Sequence, residues 1–155
     1  MLDAELVIAS CRGTRTLRPD DYFITALTTT LEPDELLIEI RLPLLDDDWR
    51  TGFAEFSRRK GDYALAMCAT ALRIQDRRIV EARVGVGGAT DRPCRIAAAE
   101  KLLVGTNAAP ELRREAGKIA AEAIEPLMDI QTSAEFRRAL VRAMVERALA
   151  QACAQ

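Results

Sequence analysis

Short alternating segments open the chain and predict β-structure. Glu5–Ser10 is an apolar run, and Thr14–Leu17 follows it after a small turn sequence. This arrangement predicts a β-hairpin with Gly13 in its turn. Pro19-Asp20-Asp21 predicts a second turn, which delivers Tyr22 and Phe23.

A stricter alternation follows in Leu36–Leu42. One face carries Ile38, Ile40 and Leu42, and the other carries Glu39 and Arg41. This pattern predicts a half-buried strand that Pro43 ends. Just before the strand, Pro33 is suited to the first turn of a very short helix carrying Asp34 and Glu35.

The run Asp46-Asp47-Asp48 is a candidate domain boundary, because adjacent like charges favour a solvated connection. Beyond it, Phe53–Arg59 is extended in pattern and Lys60-Gly61-Asp62 predicts a turn. Ala64–Ile74 is ambiguous, since its alanines favour helix while its later alternation allows a strand. The alternating segment Val80–Val86 needs a hairpin partner, so we interpret Ala64–Ile74 as a strand.

Three helices are predicted in the last third of the chain. The first begins near Asp91 or Arg92 with Pro93 close to its first position, and it ends before Gly105. The second covers Pro110 to about Ile124, since the residue before Pro126 disfavours helix.

The third helix has a start signal of its own. Thr132-Ser133-Ala134-Glu135 fits a capping box, in which a hydroxyl and a carboxylate satisfy free amides reciprocally. Its apolar face then carries Phe136, Leu140, Met144 and Ala148, which we interpret as core. The predicted fold class is therefore α+β, with a small antiparallel sheet of about three strands packed on a three-helix bundle.

Composition narrows the function classes. Of 155 residues, 22 are basic and 24 acidic, interspersed to a net charge of −2, and aromatic residues make up only 5%. These values exclude a basic nucleic-acid stripe and make base-stacking platforms improbable. No apolar stretch is long enough to span a bilayer, and the first residues lack the positive region of a signal peptide.

The titratable residues limit the chemistry further. The chain has no histidine, which removes Ser-His and Cys-His nucleophile pairs. Its four cysteines are far apart and form no CxxC motif, so we predict no metal site. We interpret them as reduced, mostly buried thiols of a cytoplasmic protein.

Five segments in order resemble the flavin subunit of the molybdenum hydroxylases, the family of carbon monoxide and xanthine dehydrogenases. The pieces that carry the resemblance are Arg12-Gly13-Thr14-Arg15 with Asp21-Tyr22-Phe23, then Pro33–Leu37 with Pro43, then Gly52–Ala64, then Val84–Ala89 with Pro93, and finally Ser133–Arg138. They cover almost the whole chain. The resemblance implies a truncated, β-rich closing part of an FAD-binding domain in residues 1–48 and the family's C-terminal domain in 49–155.

The resemblance also implies a function. A molybdenum-binding large subunit oxidises the substrate, [2Fe-2S] clusters of an iron–sulfur small subunit carry the electrons, and FAD hands them to NAD, a quinone or oxygen. Asp62 and Tyr63 match the loop that approaches the isoalloxazine ring, and Leu37 matches an apolar position that packs against the cofactor. A carboxylate at Asp62 would disfavour negative charge on reduced flavin. Ala54 departs from the pattern, because some members have a lysine there.

Simpler interpretations stand beside these. Gly85-Val86-Gly87-Gly88 lacks GxGxxG spacing, so we favour packing or turn roles over phosphate binding. Arg58-Arg59-Lys60 is either a solvated basic edge or a contact for an anionic partner. Tyr63 could be an ordinary strand-entrance aromatic and Leu37 ordinary core, although the resemblance favours the flavin reading for Tyr63.

The glycine-rich loops that hold the FAD pyrophosphate in this family are missing, since no glycine precedes Cys11. We therefore expect either a fragment or a split protein whose N-terminal FAD-binding half is a separate chain. We expect the isolated chain to bind FAD weakly or not at all. The alternative to an electron-transfer component is a non-catalytic assembly domain; a self-sufficient enzyme has little support, because no catalytic constellation is present.

Overall fold

The computed structural model describes residues 1–127 and 132–154. The chain divides into two compact units, Leu2–Leu45 (the N-terminal unit) and Asp46–Gln155 (the C-terminal unit), and Met1 groups with the second. Among the helices of the described residues, none combines the length and the apolar character needed to cross a membrane.

The N-terminal unit is built from short strands. They are β1 (Glu5–Ser10), β2 (Gly13–Leu17), β3 (Phe23–Thr25), β4 (Thr28–Thr29) and β5 (Leu36–Arg41), with one helical turn, α1 (Pro19–Tyr22). The predicted β1–β2 hairpin is confirmed, and β1 also pairs antiparallel with β5, which gives the order β2-β1-β5. Leu6, Ile8 and Tyr22 form its small buried core.

Two predictions for this unit are wrong. Pro33 and Asp34 form a turn and not a short helix, because the segment continues into β5 within two residues. The alternating apolar face of β5 is not buried: Ile38, Ile40 and Leu42 are 57%, 58% and 55% exposed. No element of the unit covers that face, and the β5 residue that packs against the small core is Leu37.

An ion pair between Arg15 of the β1–β2 hairpin and Glu35 of the turn before β5 joins these two segments. Arg15 donates from Nε and Nη2 to the Glu35 carboxylate at 2.8 and 2.7 Å, and from Nη2 also to the Thr30 carbonyl. The Glu35 carboxylate further accepts from the Glu32 amide at 2.9 Å. Together these hydrogen bonds to the ionised form, led by that from Arg15, lower the pKa of Glu35 from 4.5 to about 2.

The C-terminal unit is a sheet covered by helices. Its strands are β6 (Trp49–Phe56), β7 (Ala66–Gln75), β8 (Arg78–Gly87) and β9 (Cys94–Arg95), and its helices are α2 (Ala97–Leu103), α3 (Pro110–Ala123) and α4 (Ala134–Cys153). The strands are antiparallel in the order β6-β7-β8-β9. The predicted α+β class is confirmed, as is the strand at Ala64–Ile74, and the sheet has a short fourth strand.

The β7–β8 hairpin closes through a tight turn. Asp76 and Arg77 both have positive φ, 50° and 62°, as a two-residue type I′ turn requires. The antiparallel pairing that follows joins nine residue pairs, from Gln75 with Arg78 to Met67 with Gly87, with one irregularity between Arg73 and Ile74. One end of the sheet therefore holds this turn, and the other end holds the loop that joins β6 to β7.

The predicted start of the first long helix is wrong. Cys94 and Arg95 pair with Val86 and Gly85 as β9, so the helix begins at Ala97 and Pro93 lies outside it. A pairing partner distant in sequence overrides the local helix signal here. The second helix has the predicted bounds, and Gly105 follows the first with φ +82°.

The start of α4 is predicted one residue too early. Ser133, and not Thr132, is the N-cap: its hydroxyl accepts from the Phe136 amide at 3.2 Å. Glu135 therefore does not occupy the position that a capping box requires. The apolar face of α4 is confirmed as core, since Leu140, Met144 and Ala148 are buried, whereas Phe136 is 47% exposed.

Sheet and helices enclose one continuous core. Buried members include Cys68, Leu72, Val84 and Val86 from the sheet, Ala116 and Ala120 from α3, and Met144, Val145 and Leu149 from α4. At Gly52 the approach of β6 to α4 is so close that a Cβ would lie 1.9 Å from the Ala148 carbonyl oxygen. Only glycine therefore fits at this point of β6 beside α4.

Candidate functional site

Residues 57–65 join β6 to β7, and we call them the Tyr63 loop. The predicted turn at its tip is confirmed: the Asp62 amide donates to the Arg59 carbonyl at 3.1 Å, and Gly61 has φ +88°. Glycine at the third position with positive φ is typical of a type II turn. The Ser57 hydroxyl also donates to the Arg59 carbonyl, at 3.0 Å. The tip is thus held by its own main chain.

Asp62 and Tyr63 lie next to each other on the outer part of this loop. Both are exposed, and Tyr63 is 98% exposed. A tyrosine ring in that position leaves a large amphipathic surface in water, ready to contact another molecule. Two residues later the chain returns to the core, where Leu65 is only 6% exposed.

The loop carries a local excess of positive charge. Arg58, Arg59 and Lys60 are exposed and stand against the single carboxylate of Asp62. Exposed charges at a loop tip attract anionic groups by long-range attraction.

The main chain of Leu65, at the base of the loop, is hydrogen-bonded through both its amide and its carbonyl. Its amide donates to the Phe56 carbonyl at 2.8 Å, and its carbonyl accepts from Arg137 Nη1 at 2.9 Å. The same Nη1 donates to the Gly88 carbonyl at 2.8 Å. Arg137 is 3% exposed and lies near the start of α4. It therefore joins the loop base, the end of β8 and the start of α4.

Sequence reasoning missed Arg137, although a signal was present. It falls on the apolar face of α4, three, four and seven residues before Leu140, Val141 and Met144. An arginine on an apolar helix face either extends its guanidinium to water or is buried and donates hydrogen bonds to specific acceptors. Arg137 is 3% exposed in the structure, so the second alternative holds.

The glycines after β8 have packing and turn roles, as predicted. A Cβ on Gly87 would lie 2.6 Å from Met67 Cε, and one on Gly88 would lie 2.5 Å from the Ala64 carbonyl oxygen. Gly88 also has φ +75°. The segment leads into β9 and not into a helix, so it lacks the helix N-terminus that a phosphate loop uses.

Leu37 and Ala54 lie elsewhere. Leu37 belongs to the N-terminal unit, where it is half-buried on β5 against the small core of Leu6 and Ile8. Ala54 is half-buried on β6 and packs on the core of the C-terminal unit. The structure thus brings Asp62 and Tyr63 onto one loop and shows Leu37 in a separate unit.

None of the four cysteines is in a disulfide bond, and only Cys68 is buried. Cys68 is fully buried, and burial raises the pKa of its thiol to about 12, which makes it unreactive. Cys11 is exposed and Cys94 and Cys153 are half-buried, so the prediction of mostly buried thiols is wrong. Within residues 1–127 and 132–154, no three His, Cys, Asp or Glu residues gather into a group that could hold a metal ion.

Comparison with known proteins follows the same division of the chain. Residues 51–152 match the family model of the CO dehydrogenase flavoprotein C-terminal domain. The nicotine 6-hydroxylase medium subunit of Paenarthrobacter nicotinovorans is 36% identical over 99% of this chain and 54% of that subunit. The carbon monoxide dehydrogenase medium chain of Afipia carboxidovorans is 30% identical over 99% of this chain and 54% of its own length.

Solved structures agree. A chain of quinoline 2-oxidoreductase from Pseudomonas putida 86 superposes with a TM-score of 0.91 at 34% identity, covering 99% of this chain and 53% of that one. A chain of carbon monoxide dehydrogenase from Hydrogenophaga pseudoflava gives 0.92 at 29% identity, with 99% and 53% covered. The chain spans about half the length of the relatives it matches.

Proposed function

Because the chain belongs to the family of CO dehydrogenase flavoprotein C-terminal domains, found in the FAD-binding medium subunits of molybdenum hydroxylases, we propose that it serves as part of an electron-transfer subunit. In this proposal residues 1–48 are the closing part of an FAD-binding domain, and residues 49–155 are the C-terminal domain. FAD supplies the redox chemistry when bound, exchanging electrons between [2Fe-2S] clusters and NAD, a quinone or oxygen.

The observation that carries the proposal is the Tyr63 loop. Tyr63 is 98% exposed at a site whose main chain is held at the tip and at the base. An exposed ring on a fixed main chain suits stacking against a flat ligand, because little ordering is required on contact. We propose that Tyr63 contacts the isoalloxazine ring and that Asp62 lies beside it. Leu37 stays a separate prediction as an apolar contact to the cofactor.

The loop fits the ring of the cofactor better than its phosphates. A phosphate cradle needs free backbone amides, and the Asp62 amide already donates to the Arg59 carbonyl. The proposed contribution of this chain is therefore one wall of a flavin site, with phosphate contacts supplied by other segments.

The proposed partners follow from the family. They are a molybdenum-binding large subunit and an iron–sulfur small subunit, in the cytoplasm, with the remaining FAD-binding segment either in the same polypeptide or in a separate one. The relatives named as medium subunits or medium chains support an assembly of several subunits. The substrate is chosen on the molybdenum subunit.

Substitution of Tyr63 in the assembled complex tests the proposal. Tyr63→Ala should change the rate at which reduced flavin is reoxidised by about two- to tenfold, the range that an aromatic stacking contact is worth. Tyr63→Phe keeps the ring and should stay close to the unsubstituted enzyme. Val80→Ala is the matched control, since Val80 is an exposed apolar residue beside the turn at the other end of the sheet.

Flavin content and stopped-flow reoxidation by dissolved oxygen are the measurements. Unchanged rates in Tyr63→Ala, with flavin content intact, would contradict the placement of the loop. A complex that assembles with its partners but holds no flavin would instead favour the assembly-domain function.

A further inference from the structure

Arg137 is in an unfavourable position for a cation. It is 3% exposed, and no other charged residue of the described chain is buried as a whole residue. Removing a charge from water is costly, and the N-terminal end of a helix repels positive charge. It lies four residues after the N-cap Ser133, in the first turns of α4. Neither burial nor helix position accounts for an arginine here.

One nitrogen of the Arg137 guanidinium donates to main-chain carbonyls of two different segments. Nη1 donates to Leu65 at 2.9 Å and to Gly88 at 2.8 Å. Hydrogen bonds from a charged donor are stronger and more directional than neutral ones. Leu65 is two residues after Tyr63, so one guanidinium fixes the arm of the Tyr63 loop that returns to the sheet.

The close approach of Gly88 supports the same arm. The space beside its Cα is filled by the Ala64 carbonyl, which would lie 2.5 Å from an added Cβ. Ala64 and Leu65 are therefore packed by the end of β8 and bound through Arg137. The outer residues Asp62 and Tyr63 have no such burial, and Tyr63 joins this base directly through Ala64.

We infer that Arg137 is a positioning residue for the flavin-facing loop: it sets the placement of Tyr63 through the Leu65 and Gly88 carbonyls without contacting the cofactor. The inference rests on the proposed function for the meaning of that placement. Apolar residues of similar volume commonly replace buried charges without loss of stability. An arginine at this site therefore serves to fix geometry and not merely to fill the core.

Hydrogen exchange measures the placement directly. In the assembled enzyme, Arg137→Met should speed exchange of the hydrogen-bonded loop amides of Asp62 and Leu65 by about tenfold, because a charge-assisted bond is lost at the loop base. Arg138→Met is the matched control, since Arg138 is the exposed neighbour on the same helix. Unchanged exchange in Arg137→Met overturns the inference, and so does an equal change in Arg138→Met.

A second variant keeps the test decisive if Arg137→Met fails to fold. Arg137→Lys retains a cation with flexible donors but not the rigid guanidinium. We expect it to fold and to exchange in the loop about two- to threefold faster than the unsubstituted enzyme. Exchange identical to that of the unsubstituted enzyme would show that the guanidinium geometry is not required, and would overturn the inference.

Flavin kinetics separate the inference from the proposed function. Enzyme reduced with dithionite is mixed with air-saturated buffer, and reoxidation is followed for Arg137→Met, Tyr63→Ala and the double variant. If Arg137 acts through Tyr63, its effect on the rate disappears in the Tyr63→Ala background. Independent, multiplying effects overturn the inference. If Tyr63→Ala alone changes nothing, the proposed function fails, while the exchange experiment still decides whether Arg137 holds the loop.

Discussion

Replacement of Gly88 by alanine tests how tightly the loop base is packed. Alanine at φ +75° suffers backbone strain of roughly 1–2 kcal/mol. Its Cβ would also lie 2.5 Å from the Ala64 carbonyl oxygen, far inside contact distance. Overpacking of this kind costs about 1–3 kcal/mol. We therefore expect Gly88→Ala to lower the free energy of unfolding of the C-terminal unit by about 2–5 kcal/mol.

Gly105 offers a matched control for the strain alone. Its φ is +82°, nearly that of Gly88, but an added Cβ would meet no atom within 4 Å. Gly105→Ala should therefore cost only the strain, about 1–2 kcal/mol. The difference between the two variants isolates the contact between Gly88 and Ala64.

The single tryptophan makes the measurement specific to one unit. Trp49 lies on β6 with the Arg83 guanidinium carbon 4.6 Å from the centre of its ring, so its fluorescence reports loss of the sheet. With a slope of about 2 kcal/mol per molar urea, a difference of about 2 kcal/mol separates the midpoints by about 1 M. Equal midpoints for Gly88→Ala and Gly105→Ala would refute the packing argument.

Two further predictions follow from the perturbed groups. The Cys68 thiol is fully buried and has a pKa of about 12, so it should resist a thiol reagent at pH 8 until the protein unfolds. Exposed Cys11 should react at once. Rapid modification of Cys68 in a Cys11→Ser variant would contradict this expectation. The ionised Glu35 carboxylate is favoured in the folded state, with a pKa of about 2 against 4.5, so its stabilisation is complete above pH 4.5 and is lost as the pH falls toward 2. Glu35→Gln should thus be less stable than the parent chain at pH 7, with a difference that shrinks between pH 5 and pH 3; thermal unfolding by circular dichroism checks it, and a difference independent of pH would exclude the linkage.

Much of the C-terminal unit was predictable because local signals and tertiary pairing agree there. The strand β8, the helix from Pro110 and the turn at Gly61 follow from patterns a few residues long, and β7, ambiguous in its own pattern, follows because β8 needs a hairpin partner. Where a local signal and a long-range strand pairing disagree, the pairing determines the secondary structure. Cys94 and Arg95 look like the start of a helix after Pro93, yet Gly85 and Val86 draw them into β9. Such a partner cannot be recognised from the local pattern.

Burial was less predictable than secondary structure. The alternation of Ile38, Ile40 and Leu42 defines a face, but a period of two does not state whether anything covers it. Arg137 is the opposite case, because a charged residue is expected to be exposed and this one is buried. Its role depends on carbonyl groups of Leu65 and Gly88, and main-chain acceptors leave no trace in side-chain identity.

That last property has an evolutionary consequence. A carbonyl oxygen is present whatever side chain its residue carries, so the bond from Arg137 to Leu65 does not depend on which residues occupy the outer part of the loop. The tip, from Arg58 to Tyr63, is exposed and makes its turn with main-chain groups. Except at Gly61, whose φ of +88° the turn requires, mutations there can therefore be sampled one at a time while the frame persists. Substitutions at the loop tip can thus change which molecules this surface contacts without changing the fold of the C-terminal unit.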